Sequence, residues 1–164
     1  MSISLQAYTE AGLLQAELAQ QGHLGELLET VAELPVDGRL GAFAGGPAER
    51  VSGVLEVDDM LLVAAPLDTP APVHAAWHRL RLAVGPYEVE GELATMPGFD
   101  PGRALARPGG TFVLLAQVRV ALGGDGPIAE HAFAWVNRYA VERVTADIDL
   151  AHYFPGAEGT VSRE

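Results

Sequence analysis

The sequence contains no cysteine and no lysine. Without cysteine there is no disulfide, no thiolate nucleophile and no cysteine-ligated zinc site. No apolar run reaches the roughly 18 residues that a membrane helix needs. The first residues, Met-Ser-Ile-Ser-Leu-Gln-Ala-Tyr, lack the basic start and the apolar stretch of a secretory signal. We therefore expect a cytoplasmic protein without membrane contact.

Basic residues are scarce, because ten arginines stand against 22 acidic residues and the net charge is −12. Most of the imbalance lies early in the chain, where residues 1–75 carry 11 acids and two arginines, which gives −9. Binding to nucleic acid draws on neutralised phosphates, so this charge disfavours a nucleic-acid partner. Apolar residues make up 49% of the chain, which is enough to build a core.

A proline-rich segment, residues 65–73, separates two parts of the chain that follow the same pattern. Each part begins with a run that ends in Glu-Leu-Ala, at Ala19 and at Ala94, and continues with a short helical stretch. A third strand, a glycine turn and a closing apolar run come next. A polar pair interrupts each closing run, Asp58-Asp59 in the first copy and Asn137-Arg138 in the second, which is typical of a turn between strands.

Local patterns within the copies predict individual elements. Apolar and acidic residues alternate from Tyr87 to Leu93, which predicts a strand with one buried face, and Gly85-Pro86 before it predicts a hairpin turn. Leucines spaced along residues 23–33 predict an amphipathic helix in the first copy. A further short helix is expected over residues 146–154, packed back on the body of the protein.

The sequence therefore predicts a mainly β protein with short helices, of the β or α+β class. Its expected architecture is two tandem small β-barrel-like units related by a pseudo-two-fold repeat. We place the first unit at residues 1–64, a proline-rich linker with a short helix at residues 65–78, and the second unit at residues 79–164. A unit of about 75 residues is marginally stable alone, so the two units are expected to share a buried face.

This order of elements resembles the Sm-like small barrel, which is related to the SH3-like barrel. Residues 78–145 are similar to an uncharacterised bacterial domain family with that pattern, and the first copy is a diverged second instance. The motifs that carry the resemblance are Tyr87–Leu93, Arg103–Pro108, Phe112–Leu115 and Trp135–Val144. The resemblance implies a fold and no particular activity. Sm-like proteins typically assemble in rings and bind RNA.

Arginines concentrate in the second copy and are the candidate site residues. If they converge beside an aromatic ring, they form a patch that receives phosphate or an acidic protein surface. Alternatively, they pair with the acids of the first copy across the interface between the repeats, which is the interpretation that we favour. The candidate residues for a partner or anion site are Arg103, Arg107, Arg119, Arg138 and Tyr139.

Other titratable residues fit structural roles better than catalytic ones. His74 and His78 have the i, i+4 spacing of metal ligands, but no third ligand is evident, which favours a linker helix with Trp77 docked on a barrel. Alternating glutamates are typical of the solvated face of a strand, and Asp58-Asp59 is typical of a turn. The sequence has no nucleophile elbow, P-loop or dinucleotide fingerprint. We expect no enzyme activity, no cofactor and no metal site.

These observations predict a non-catalytic interaction or assembly module that binds another protein or a second copy of itself. The alternative is RNA or nucleotide binding through the arginines of the second copy, as the Sm-like resemblance implies.

Overall fold

The computed structural model describes residues 3–18, 23–41, 48–65, 76–95, 111–122, 128–147, 150 and 154–161. Over these residues the protein is mainly β, as predicted. Short 3-10 turns occupy Val57–Asp59 and Arg138–Ala140. The strands are β1 (Ile3–Thr9), β2 (Gly12–Leu18), β3 (Glu33–Gly41), β4 (Glu49–Glu56), β5 (Leu62–Ala64), β6 (Ala76–Val84), β7 (Tyr87–Thr95), β8 (Phe112–Ala121), β9 (Ile128–Asn137), β10 (Val141–Ala146) and β11 (Glu158–Val161), and the helix is α1 (Leu24–Thr30).

All eleven strands belong to one open sheet in the order β11-β10-β6-β7-β8-β9-β5-β1-β2-β3-β4. Neighbouring strands are antiparallel except β10 and β11, which are parallel. The order contains the same arrangement twice, β5-β1-β2-β3-β4 in the first half of the chain and β10-β6-β7-β8-β9 in the second half. The two halves meet where β5 pairs with β9.

Each half opens with a hairpin, β1-β2 and β6-β7, and the second forms where the sequence predicts it. In the second half the turn is Gly85-Pro86, and Gly85 has a φ of 55°, a left-handed conformation that glycine adopts without a steric penalty. Tyr87 and Val89 are buried while Glu88 is exposed, so the period-two pattern sets which face of β7 enters the core.

Helix α1 is shorter than the predicted stretch of residues 23–33. Its buried side chains, Leu24, Leu27 and Leu28, have the i, i+3, i+4 spacing of one helix face. The helix ends at Thr30 because Val31 is already extended and the chain enters β3 at Glu33. A helix of this length is not stable alone, so packing on the core holds it.

The polar pairs lie at turns, as predicted, but the strands on either side of each turn do not pair with each other. In the first half, β4 pairs with β3, whereas β5 pairs with β1 and β9. Each 3-10 turn therefore moves the chain across the sheet rather than forming a hairpin. This crossing produces the repeated strand order.

Two apolar cores lie on the sheet, and each contains side chains from both halves. The second core consists mainly of side chains of β6 to β10, and Tyr8 and Leu62 from the first half are buried in it. The first core includes Phe112 from β8, and Trp135 from β9 packs against it. The buried residues of the first core are Leu5, Ala7, Leu14, Ala16, Leu18, Leu24, Leu27, Leu28, Leu34, Val36, Val57, Met60, Val63 and Phe112.

The end of the predicted linker is a strand. Ala76, Trp77 and His78 belong to β6 and continue its ladder with β7, in place of the short helix expected there. Backbone hydrogen bonds to β7 favour the extended conformation at these positions. Trp77 is 39% exposed and is not docked in a core. Residues 66–75 of the linker lie outside the described residues.

The C-terminal segment differs in part from the predicted helix over residues 146–154. Ala146 ends strand β10, while Leu150 and Phe154 are buried as expected. The other residues between Asp147 and Phe154 lie outside the described residues. Strand β11 was not predicted, because its four residues are all exposed and carry no apolar alternation.

Gly38 is required by a close approach between β3 and β2. A Cβ atom there would lie 2.5 Å from the Cα atom of Ala16 and would also collide with the Gln15 carbonyl oxygen. We expect Gly38→Ala to lower the free energy of unfolding by about 2 kcal/mol, because backbone must shift to admit the methyl group. Urea unfolding measures this. The neighbouring Asp37→Ala serves as control, and equal stability of the two variants would contradict the assignment.

Candidate functional site

The structure does not bring the described candidate arginines together. Arg119 lies near the end of β8, opposite Glu130. Arg138 lies at the other end of that strand, where its backbone N–H donates to the carbonyl of Thr111. Arg103 and Arg107 lie outside the described residues. The described candidates therefore do not form one cationic patch.

Arg138 and Tyr139 are neighbours with different exposures. Arg138 is only 6% exposed, and its guanidinium carbon lies 5.8 Å from the centroid of the Tyr139 ring. Tyr139 is 58% exposed. A buried guanidinium beside an exposed ring leaves the ring, rather than the cation, as the accessible group.

Two exposed arginines of the second half, Arg81 and Arg119, pair with carboxylates of their own half. Arg119 Nε lies 3.4 Å from Glu130 Oε1, and Arg81 Nη2 donates to Glu90 Oε1 at 2.8 Å. Cross-strand neighbours in the sheet bring each pair together, because Arg119 is in register with Glu130 and Arg81 with Glu90. The expected pairing with acids of the first half is not seen at these residues.

The histidine pair does not form a described metal site. His78 Nδ1 lies 3.1 Å from Asp147 Oδ1, and His74 lies outside the described residues. Within the described ranges, no group of three or more His, Asp or Glu side chains is placed to hold a metal ion. The acidic stripe of β7 lies on the face opposite the core, and β7 is an interior strand between β6 and β8.

A buried polar cluster that the sequence does not reveal joins the two halves. The Tyr8 hydroxyl and His131 Nε2 are hydrogen-bonded at 2.7 Å, and the Tyr87 hydroxyl donates to the Thr9 carbonyl at 2.7 Å. Tyr8 and Tyr87 contact each other edge to face, with ring centroids 5.5 Å apart. The three rings come from β1, β7 and β9, so no local pattern signals their contact.

Burial sets the protonation of this cluster. It raises the pKa of Tyr8 to about 12, with a smaller contribution from Tyr87, and it also raises the pKa of Tyr87. Burial lowers the pKa of His131 below its usual 6.5. Tyr8 and His131 are therefore neutral at pH 7, which suits the partly buried hydrogen bond between them.

The His131 shift predicts a pH-dependent stability. Because the folded-state pKa is lowered, the unfolded chain binds the proton first as the pH falls through 6.5. The free energy of unfolding should therefore decrease from pH 7.5 to pH 5.5. Urea unfolding at both values tests this, with His131→Gln as a non-titrating control that keeps a hydrogen-bonding side chain. Equal pH dependence in the two proteins would contradict the prediction.

Asn137 ties the two 3-10 turns together at the junction of the halves. Its side-chain amide donates to the carbonyls of Asp58 and Met60, both at 3.1 Å, and its Oδ1 accepts from the Tyr139 N–H at 3.0 Å. Its backbone N–H donates to the Leu61 carbonyl at 2.9 Å. Asn137 is 3% exposed and Met60 is fully buried, so the Met60 carbonyl depends on Asn137 rather than on water, while the bond to Asp58 is partly buried.

Replacing Asn137 by leucine should lower the free energy of unfolding by about 3 kcal/mol. The substitution keeps the branching and the number of side-chain heavy atoms but removes the donor to the Met60 and Asp58 carbonyls and the acceptor for the Tyr139 N–H, and each unsatisfied buried group costs about 1–3 kcal/mol. Asp58→Ala is the matched control, because it removes an exposed side chain and keeps the backbone carbonyl. If Asn137→Leu unfolds at the same urea concentration as Asp58→Ala, the bridging role is wrong.

Strand β4 is the edge of the sheet in the first half. It pairs with β3 on one side, and no described strand lies on its other side. Most of its residues are exposed, and Val54 is 64% exposed. An edge strand with open backbone groups is able to accept a further strand.

A groove of about 590 Å³ lies beside this strand, and we call it the β4 groove. The turn at Glu10 and the 3-10 turn at Asp58-Asp59 also line it, together with Ala140 from the second half. None of its described lining residues is basic. The larger apolar side chains that line the groove are Leu14, Val36, Leu40, Val51, Val54, Leu55 and Leu61.

No family model, curated protein or solved structure matches the chain. Among the described residues, no helix is long and apolar enough to cross a membrane. The geometry of this molecule is therefore the basis for its functional assignment.

Proposed function

We propose that the protein is a non-catalytic interaction module made of two Sm-like small-barrel units, and that its edge strand β4 receives a strand from a partner protein. The observation that carries this proposal is the joint between the halves. There, two sets of five strands with the same order are connected edge to edge through β5 and β9.

The pairing of β5 with β9 supports this proposal, because it is an edge-to-edge contact between the two halves. The fifth strand of the first half pairs with the fourth strand of the second half, with Leu62 opposite Val136 and Ala64 opposite Ala134. Strand β4 is the fourth strand of the first half, so it holds the place that β9 holds in the second. Its outer edge has no described neighbour, and a partner strand there would complete the same ladder.

The buried polar cluster supports a structural rather than a catalytic role. Tyr8 is wholly buried and Tyr87 is 3% exposed, so a substrate does not reach their hydroxyls. Each hydroxyl is already engaged with a group of the protein.

A protein partner suits the charges better than RNA does. Of the described candidate arginines, Arg119 lies next to a carboxylate and Arg138 is buried. Phosphates need exposed cations. The net charge of −12 further opposes the binding of phosphates.

An edge-blocking variant tests the proposal. Ser52→Lys adds a charge to the exposed middle of β4, and edge lysines oppose strand addition. Ser4→Lys is the matched control, since it adds the same charge on the interior strand β1. Wild type and both variants are used as bait in lysate of the source cells, with and without nuclease.

We expect a protein that survives nuclease, binds wild type and Ser4→Lys equally, and is reduced at least fivefold on Ser52→Lys. Light scattering of the purified proteins shows whether that partner is a second copy. Capture that is unaffected by Ser52→Lys would overturn docking on β4. Recovery of nuclease-sensitive RNA would instead favour the arginines of the second half.

A further inference from the structure

The β4 groove lies directly beside the proposed docking strand. Val51, Val54 and Leu55 belong to β4 and also line the groove. Val51 and Leu55 are half-buried, so part of their apolar surface still meets solvent. A volume of about 590 Å³ is within the range of protein binding clefts. A strand added to β4 would direct alternate side chains towards this groove.

In the second half, side chains of the first half occupy the place that corresponds to the β4 groove. Its opening hairpin turn, at Gly85, is covered by the first half, and a Cβ atom on Gly85 would lie 2.7 Å from Leu61 Cδ1. Tyr8 is buried in the second core beside this hairpin, in contact with Tyr87. An aromatic and an aliphatic side chain from a neighbouring unit therefore close the second half. In the first half, the turn at Glu10 leads into the open β4 groove.

The β4 groove differs in charge from its counterpart in the second half. Three exposed acidic residues line the β4 groove, Glu10, Asp58 and Asp59. None of the three forms an ion pair with a described residue. Like charges around an apolar cleft concentrate a negative potential there, which attracts cationic groups.

We infer that the β4 groove binds an extended segment of a partner protein in which a large apolar or aromatic side chain is flanked by arginine or lysine. The apolar side chain enters the groove, as Tyr8 enters the second core, and the basic residues meet Glu10, Asp58 and Asp59. This inference rests on the proposed function, because the segment reaches the groove by pairing with β4.

Peptides selected from a random library provide the probe. A phage-displayed library is selected on the immobilised full chain, and the enriched peptides are synthesised with a fluorescent label. Their affinities are measured by anisotropy for wild type and for the triple variant Glu10→Gln, Asp58→Asn, Asp59→Asn. The control carries three equivalent changes on exposed residues away from the groove: Glu26→Gln, Glu29→Gln and Glu158→Gln.

We expect the enriched peptides to share a large apolar residue with arginine or lysine nearby. The groove variant should bind them about tenfold more weakly, since three exposed charge pairs are lost, and the control should stay within twofold of wild type. The difference should shrink in high salt, because exposed charges are screened. Ser52→Lys should also weaken binding.

Several results would overturn the inference. Enrichment of peptides without basic residues, or equal affinity for the groove variant and wild type, would show that the carboxylates do not select the partner. In another outcome, the peptides show neither the expected composition nor the expected loss of affinity, while capture of a lysate protein is still reduced by Ser52→Lys. In that case docking on β4 stands, and only the proposed chemistry of the partner is wrong.

Discussion

The pairing of β5 with β9 is the connection on which the single sheet depends. Only three residue pairs form this ladder, and backbone bonds from Ala65 to Phe133 and from Asn137 to Leu61 extend it. So short a ladder does not hold two halves alone. The buried amide of Asn137 strengthens it, because this residue hydrogen-bonds to both 3-10 turns and thereby fixes where β5 and β10 begin.

Each core contains side chains of the other half, so the two halves depend on each other for stability. Tyr8 is buried in the second core, and its hydroxyl is hydrogen-bonded to the half-buried His131. Conversely, Trp135 of the second half packs against the first core. Its ring also lies close to helix α1, because a Cβ atom on Gly25 would be 3.1 Å from it. The short helix α1 is thus held between its own core and a side chain of the other half. Neither half has a complete core without the other.

Local pattern predicted much of the secondary structure, and contacts between distant strands account for what it missed. Alternation and the Gly85-Pro86 turn were sufficient to predict the second hairpin, because both are properties of neighbouring residues. Placement of Tyr8 against His131, by contrast, depends on the order of the strands in space. The sequence predicted that the candidate arginines pair with acids of the first half, whereas Arg119 lies beside Glu130 of its own half, because cross-strand register, which composition does not reveal, sets its neighbour.

The two edge strands of the sheet, β4 and β11, differ in length and in how charged residues are distributed along them. At one end, the four-residue strand β11 pairs with β10 and is itself the outermost strand, with all of its residues exposed. At the other end, β4 has charged residues near both termini, Arg50 and Glu56 among them, while its middle residues, Ser52 to Val54, are uncharged. Charges oppose indiscriminate edge pairing. A neutral centre between charged ends instead favours a partner strand whose register and charges match, so an open edge of this kind is suited to selective binding.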